Sequence, residues 1–339
     1  MKTIFWMTFA TWCICLTSFA ANAGTLEDVK VRGYLNCGVN PGLVGFASPN
    51  EVGEWVGFDV DLCRAVALAV FGRADAVKFV PLESKERFNA LSSNQIDVLS
   101  RNSTWTFSRD VGLRLDFVGV SYYDGQGFLI SKDADIQSAL DLGGARICVE
   151  ANTTTELNLS DYFQARKIKY LPVRIENPLD GKTRYLAGEC DVYTADASAL
   201  AATRATFERP SNHLILPEVI SKEPLGPVVR HGDNQWADIV RWTLNALIDA
   251  EEFGITSKNV KNLAATTVNR DIGRLLGTQD SLGTQFGLQT DWVVNVIAVL
   301  GNYGEIFERN IGKDTAIGLE RGLNAQWQDG GLLYAPPFR

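Results

Sequence analysis

The amino-acid sequence predicts an α/β protein of two units followed by a helical C-terminal extension. Its 339 residues exceed what one hydrophobic core usually holds, so about two domains are expected. Apolar runs of strand length alternate with segments of helical periodicity, first over residues 34–100 and again over 128–206. Such alternation is typical of parallel sheets covered by helices.

The first unit reads as strand, helix, strand, helix and strand. Its first helix is the clearest element, because Leu62, Val66 and Ala69 recur at the spacing of one helix face. The predicted strands are Tyr34–Val39, Val77–Leu82 and Ile96–Leu99, and the predicted helices are Val60–Phe71 and Ser84–Asn94.

The second unit repeats this order and leads into the extension. A Pro/Gly-rich connector at 222–227 separates it from a strongly amphipathic helix at 236–253. Residues 255–339 read as helices with Gly-rich turns. The predicted strands are Phe128–Ser131, Ala145–Val149 and Cys190–Thr194, and the predicted helices are one opening at Thr153–Thr155, then Thr183–Ala187 and Ala197–Thr206.

Residues 1–23 have the pattern of a secretory signal peptide. Lys2 is followed by an apolar run from Ile4 to Ala20, and the segment closes with the small-residue site Ala21-Asn22-Ala23. A retained membrane anchor is the alternative, and the small-residue ending argues against it. We therefore predict export and cleavage after residue 23.

The remaining composition excludes several function classes. The net charge is −8 and no basic run is present, which disfavours binding of nucleic acid. The longest other apolar stretch, Trp292–Leu300, is under half of the roughly 20 residues that a membrane-spanning helix needs, so it is predicted to be a core element.

Four cysteines lie outside the predicted signal, and an even number in an exported chain favours disulfides. Three pairings are possible, of which 37–63 and 148–190 are preferred because each joins a strand to a nearby element of the same unit. A zinc site is the alternative, but the sequence has no C-x-x-C and only two histidines. No metal or cofactor is predicted. The cysteines are Cys37, Cys63, Cys148 and Cys190.

Polar clusters follow three of the predicted strands. They are the segments 101–109, 152–155 and 194–196. Ligands of open parallel sheets bind beyond the carboxyl ends of the strands. Because the clusters come from both units, they predict one cleft between the units.

Several motifs resemble one family. The segment GFDVDLCRAV at 57–66 is similar to the signature of the polar amino-acid periplasmic binding proteins of ABC transporters, extracellular solute-binding protein family 3. The similarity extends over essentially the whole chain after the predicted signal. Further segments resemble the general L-amino-acid-binding branch of this family. They are CGVNPGLVGF (37–46), NSTWTFSRD (102–110), SYYDGQGFLI (121–130), CDVYTAD (190–196), NYGEIFERNIG (302–312) and the ending RGLNAQW to GGLLYAPPFR.

The resemblance implies a two-lobed periplasmic binding protein fold of type II with two crossover strands. Lobe I would comprise 24–119 plus 228–339, and lobe II 120–227, with the ligand cleft between them. The implied partners are an L-amino acid and an inner-membrane ABC permease, and the implied state is a periplasmic monomer.

The resemblance also assigns ligand-binding roles. Arg109 closes a T-x-T-x-x-R pattern whose arginine holds the ligand α-carboxylate, and a guanidinium suits that group because it donates two parallel hydrogen bonds. Thr104 and Asn102 would add neutral donors. Asp196 corresponds to the aspartate that accepts the α-ammonium. It also stands where an N-cap of the next helix is expected, and both roles are open.

Two further pairs follow from the resemblance. Thr153 and Thr154 stand, after Asn152, where the family usually has Gly-Thr-Thr, and Thr154 would donate to the carboxylate at a helix N-terminus. Leu43 and Ser84 stand near positions where relatives of narrow specificity carry aromatic residues. Their smaller side chains imply broad acceptance of L-amino acids.

Alternatives remain open from the sequence. Arg101 either faces the pocket and favours acidic or polar ligands, or lies outside it. An enzyme resembling the periplasmic cyclohexadienyl dehydratases would need a general acid, for which Glu150 and Glu156 remain candidates. A sensor would use the same two states as a transport protein. Asp59 and Asp61 fit the first turn of a helix better than a catalytic pair.

Overall fold

The computed structural model describes residues 24–339. The predicted signal peptide lies outside the described residues. Among the described residues, no helix combines the length and the apolar character needed to cross a membrane. Nor do they contain a group of three or more His, Cys, Asp or Glu side chains that could hold a metal ion.

The secondary structure alternates over most of the described chain. The strands are β1 Leu35–Val39, β2 Ser48–Pro49, β3 Trp55–Val56, β4 Val77–Pro81, β5 Val98–Leu99, β6 Leu115–Phe117, β7 Tyr122–Asp124, β8 Gln126–Ser131, β9 Arg146–Glu150, β10 Leu171–Ile175, β11 Val192–Asp196, β12 His213–Ile215, β13 Glu223–Leu225 and β14 Val228–Arg230. The α-helices are α1 Thr25–Arg32, α2 Phe58–Phe71, α3 Arg87–Ser92, α4 Thr154–Ala165, α5 Pro178–Leu186, α6 Ala197–Ala205, α7 Asn234–Glu252, α8 Val260–Thr266, α9 Arg270–Leu275, α10 Trp292–Leu300 and α11 Tyr303–Asn310.

Two five-stranded sheets organise the molecule. The first has the order β4-β1-β5-β14-β6 and the second the order β10-β9-β11-β8-β12. In each sheet three neighbouring strands are parallel, and the remaining strands join them antiparallel. "First lobe" and "second lobe" below denote the parts of the chain around the first and the second sheet. The two-lobed α/β fold is the one that the resemblance implied.

Each lobe holds one disulfide. Cys37 of β1 bonds to Cys63 of α2, with their Cα atoms 6.2 Å apart. Cys148 of β9 bonds to Cys190 just before β11, with a Cα separation of 5.6 Å. Both preferred pairings are therefore confirmed, and each bond ties a strand to an element within the same lobe.

Two short segments join the lobes. β7 and β13 run side by side as an antiparallel pair. The joining segments approach so closely that a Cβ on Gly226 would lie 1.9 Å from the carbonyl oxygen of Gly119. Glycine is thus required where the segments pass one another. The exact lobe boundaries at 119/120 and 227/228 stay a prediction.

Some elements differ from the sequence predictions. The connector at 222–227 contains a strand, β13, because Glu223–Leu225 pairs with β7 despite its proline. β10 was not predicted, since its residues are largely exposed at a sheet edge and show no burial period. The predicted helix Thr183–Ala187 is the end of α5, which begins earlier, at an Asn177 cap followed by Pro178.

The C-terminal extension packs on the first lobe. Helices α8 to α11 cover residues 260–310, and the only helical turns after them in the described chain are short 3₁₀ turns, so the prediction of helices to residue 339 was too long. The tail docks through Phe338, whose ring centroid lies 4.9 Å from Trp242. Asn324 contacts the joining strand β7, because its amide bonds both backbone groups of Tyr123, at 2.7 and 3.0 Å.

Candidate ligand-binding site

A cavity of about 480 Å³ lies between the two lobes, beyond the carboxyl ends of β5, β9 and β11. This volume includes space open to solvent, and the mostly polar lining suits a small polar molecule. Seven of the eight residues predicted to bind ligand line it: Leu43, Ser84, Asn102, Thr104, Thr153, Thr154 and Asp196.

Arg109, the eighth, does not belong to the lining but lies directly behind Thr104. It is 8% exposed and sits in a π-helical turn, Ser108–Gly112. Its Nη1 donates to the carbonyl oxygen of Thr104 at 2.9 Å, and its guanidinium lies 5.1 Å from the centroid of the Phe88 ring. Within residues 24–339 its guanidinium makes this one hydrogen bond, so Nε and Nη2 stay available to a ligand. Burial lowers the pKa of Arg109, and the carboxylates of Glu223 and Asp196 oppose that shift.

Two further arginines line the cavity. Arg101 donates from Nε to the carbonyl oxygen of Leu82 at 2.7 Å, which resolves the open question and places it at the pocket. Arg87 was missed by the sequence reading, which saw only the apolar face of its helix. Burial, followed by the charges of Arg101 and Arg109, lowers the pKa of Arg87 well below its usual range.

The arginine side chains keep unused donors. Arg101 Nη2 and Arg87 Nε are buried and have no partner in the described part of the chain. Ser84 accepts from Arg87 Nη1 at 3.3 Å and therefore orients that guanidinium. Buried donors without partners are costly, so this side of the cavity is suited to an anionic or carbonyl group.

Asp196 faces the cavity at the end of β11 with its carboxylate unused. It is 8% exposed, occupies the N-cap position of α6, and makes no side-chain capping bond. Burial, followed by the neighbouring Asp124 and Glu223, raises the pKa of Asp196 well above its usual range, while Arg109 and Arg87 lower it. An ammonium group in the cavity would supply the missing partner.

Glu223 links the two lobes beside the cavity and was not predicted. Its Oε2 accepts from the Thr104 hydroxyl at 2.5 Å and from the Thr154 hydroxyl at 3.1 Å, while Oε1 accepts from Asn158 at 2.7 Å. Thr104 belongs to the first lobe, whereas Thr154 and Asn158 belong to the second. Both threonine hydroxyls thus donate to Glu223, and each keeps lone pairs that can accept from a ligand.

The N-terminus of α4 offers donors for an anion. Thr153 caps the helix, because its hydroxyl accepts from the amide of Glu156 at 3.3 Å. The amides of Thr154 and Thr155 open the helix and have no acceptor within residues 24–339. Asn152 adopts the left-handed conformation, with φ of 62°, which asparagine tolerates better than most residues other than glycine.

Asp59 holds the loop that carries Arg101 and Asn102. It accepts from the Ser100 hydroxyl at 3.2 Å and from the Asn102 amide at 3.0 Å. Burial raises the pKa of Asp59 to about 6. Asp61 is bound to Arg309 at 2.7 Å. Both aspartates are therefore structural.

Most of the groups that could serve an enzyme lie outside the cavity. His213 contacts the Tyr185 hydroxyl at 2.9 Å and His231 contacts Asp116 at 2.6 Å, and neither lines the cavity. Glu156 is paired with Arg174 at 2.7 Å. Glu150 alone of the two glutamate candidates lines the cavity, where its Oε1 is buried without a partner among the described residues.

Comparison with known proteins decides the family. Residues 35–259 match the model of bacterial extracellular solute-binding proteins, family 3. The chain belongs to this family. The glutamate/glutamine/aspartate/asparagine-binding protein BztA of Rhodobacter capsulatus is 57% identical over 324 residues, which cover 96% of both chains. The general L-amino acid-binding periplasmic protein AapJ of Rhizobium johnstonii is 56% identical, covering 94% of both chains.

A solved structure gives the same answer for the fold. An ABC transporter/periplasmic binding protein from Brucella ovis with glutathione bound is 57% identical and superposes with a TM-score of 0.92, covering 94% of this chain and 100% of that one. The predicted family and two-lobed fold are confirmed. Like these relatives, the chain is a solute-binding protein rather than an enzyme.

Proposed function

We propose that this chain is the periplasmic substrate-binding component of an ABC transporter and binds L-amino acids of broad type. The observation that carries the proposal is a pair of buried opposite charges, the Asp196 carboxylate in the cavity lining and the Arg109 guanidinium behind Thr104, neither of which has a salt-bridge partner within residues 24–339. A free amino acid presents one ammonium and one carboxylate on the same carbon. One ligand that reaches both side chains would therefore satisfy both charges.

The ligand head group is assigned to both lobes. Arg109 binds the α-carboxylate through its free Nε and Nη2, and the amides of Thr154 and Thr155 add donors from the second lobe. Asp196 accepts from the α-ammonium, and the lone pairs of the Thr104 hydroxyl lie nearby. Contacts from both lobes favour the closed state, because only that state brings them together.

The ligand side chain is assigned to the arginines of the lining. Arg87 and Arg101 present buried donors that suit a carboxylate or an amide oxygen. Leu43 and Ser84 leave space beside them. We therefore propose that acidic and amide amino acids bind best within a broad range, which agrees with the name of the Rhodobacter relative.

A γ-glutamyl peptide is a second candidate ligand. Two neighbouring clefts between the lobes share lining residues with the cavity, one through Asn40 and Pro178 and the other through Leu43 and Pro178. A ligand longer than one residue would thus find space beyond the head-group site. Glutathione has a free glutamyl α-amino and α-carboxyl end, and it is the ligand of the Brucella structure.

Isothermal titration of the ligand-stripped protein tests this function. The panel comprises the L-amino acids, D-glutamate, glutathione and prephenate. We expect saturable binding of several L-amino acids, strongest for glutamate, glutamine, aspartate and asparagine. Arg109→Ala should weaken all of them by about 100-fold, since the loss of one partner of a buried charge pair costs about 2–5 kcal/mol.

An exposed arginine provides the matched control. Arg73 is paired only with Asp75 at the surface, and Arg73→Ala should leave every affinity unchanged. Binding of glutathione alone would select the second candidate. Binding of neither amino acids nor glutathione would refute the proposed function.

A further inference from the structure

A second cleft lies on the first lobe, between the end of α7 and the C-terminal tail. It encloses about 710 Å³ of space open to solvent. Aromatic side chains form much of its wall, including Trp327 and Tyr334, which are 46% and 71% exposed. These two rings meet edge to face, with centroids 5.5 Å apart. The cleft therefore presents aromatic faces to whatever enters it.

A buried carboxylate lies in the same wall. Asp249 of α7 is only 4% exposed, and its carboxylate accepts no hydrogen bond from any residue of the described chain. Burial, followed by the charge of Glu252, raises the pKa of Asp249 to about 7. The carboxylate oxygens are open to solvent on the cleft side, so a positive group that enters the cleft would find this charge unpaired by the protein.

The charges that line the cleft have the matching sign. Glu252 and Asp271 line it together with Asp249, and the guanidinium of Arg339 is the one positive group among the described lining residues. Asp271 is already bound to Arg274 at 3.2 Å, and Arg339 Nε lies 3.9 Å from Asp271. Asp249 is left without a counter-ion among the described residues.

We propose that this cleft binds an organic cation, an ammonium or guanidinium group, with Asp249 as its counter-ion and Trp327 and Tyr334 as its π faces. Cations are attracted to aromatic faces within about 6 Å of the ring centroid. An apolar ligand would leave Asp249 unpaired, and the carboxylates of this wall are not grouped closely enough among the described residues to hold a metal ion. The site is separate from the cavity between the lobes and does not depend on the function proposed for it.

A titration followed by NMR tests the proposal. The protein is first saturated with L-glutamate, so that the cavity between the lobes is filled, and the indole N–H signals are followed at pH 8. The probes are choline and its neutral isostere 3,3-dimethylbutan-1-ol. We expect choline to shift the Trp327 signal along a saturable curve and the isostere to bind at least tenfold more weakly. Equal binding of both would overturn the proposal, because the cleft would then be merely apolar.

Variants separate a binding role from a structural one. Asp249→Asn should weaken choline binding at least tenfold, whereas Asp238→Asn removes a charge from the same helix outside the cleft and should change nothing. Trp327→Leu keeps an apolar side chain and should weaken binding about fivefold, by the loss of one cation–π contact. If Asp249→Asn binds choline as well as the unaltered protein does, the assignment of the counter-ion is wrong.

Two further probe compounds identify the source of the cation. N-acetyl-Gly-Arg-Gly-amide presents a guanidinium on a peptide, and n-butylammonium presents a free amine. Tighter binding of the tripeptide points to a side chain of a protein partner, and tighter binding of choline or the amine points to a small molecule. Lowering the pH from 8 to 5.5 should weaken all three, because Asp249 takes up a proton near pH 7. Failure of all three to saturate at pH 8 would end the proposal.

Discussion

The cavity between the lobes and the cleft at the C-terminal tail contain the same unusual group in different surroundings. Asp196 in the cavity and Asp249 in the cleft are both buried, and neither carboxylate has a hydrogen-bond partner among the described residues. The cavity also holds the buried guanidinium groups of Arg87 and Arg101, whereas aromatic rings face Asp249. We infer that an unpartnered carboxylate indicates a cationic ligand group, and that its neighbours indicate the chemistry of the rest of that ligand.

The largest expected effect is the difference in L-glutamate binding between the two variants that neutralise these carboxylates. Asp196→Asn should weaken L-glutamate binding by about 100-fold or more, because the α-ammonium loses its buried counter-ion. Asp249→Asn should leave L-glutamate binding unchanged, because Asp249 lies outside that cavity. Titration calorimetry of both variants measures the contrast. Equal losses in the two variants would show that the carboxylates act through the fold and not through a ligand.

A substitution of Arg87 tests the arginine side of the cavity, where an anionic ligand group would bind. Arg87→Gln should weaken L-glutamate about tenfold more than L-glutamine, because one positive charge near the ligand side chain is lost. The substitution should not unfold the protein, since burial and two neighbouring guanidinium groups already disfavour the charge of Arg87. Calorimetry with the two ligands gives the ratio, and an unchanged ratio would place the ligand side chain elsewhere.

A further effect is on the stability of the protein without a cation. The raised pKa of Asp249 means that the native protein holds this proton up to about pH 7 while the unfolded chain loses it near pH 4, so stability falls as pH rises between these values. Asp249→Asn should therefore stabilise the protein at pH 8 by about 1–3 kcal/mol and have no effect at pH 3. Calorimetric melting at both pH values checks this, and destabilisation at pH 8 would mean that Asp249 has an unseen partner.

Local sequence patterns predicted the clearest elements of both lobes and the polar strand ends. The helix α2 and the strands β1, β4 and β9 follow from periodicity within about two residues. The strands β6 and β12 have three residues each and are too short to show a period. The clustering of three polar strand ends followed from sheet topology alone.

The residues that were missed act across long sequence separations. Glu223 contacts Thr104, which is 119 residues away, and nothing near position 223 marks such a contact. Arg87 lies in a predicted helix and was hidden by its apolar neighbours. A charged residue close after the carboxyl end of a strand, as Arg87 is to β4, is the local signal that could have found it. Asp249 shows no signal, because an acidic residue on an amphipathic helix normally faces solvent.

A double-mutant cycle between protein and ligand tests whether Asp196 binds the ligand ammonium directly. L-Glutamate and glutarate, which lacks the amino group, are each titrated into the unaltered protein and into Asp196→Asn. We expect loss of the amino group to weaken binding by about 100-fold in the unaltered protein and by less than about threefold in the variant, because the two groups share one interaction. Equal losses of affinity in both proteins would show that another residue binds the ammonium and would refute the role proposed for Asp196.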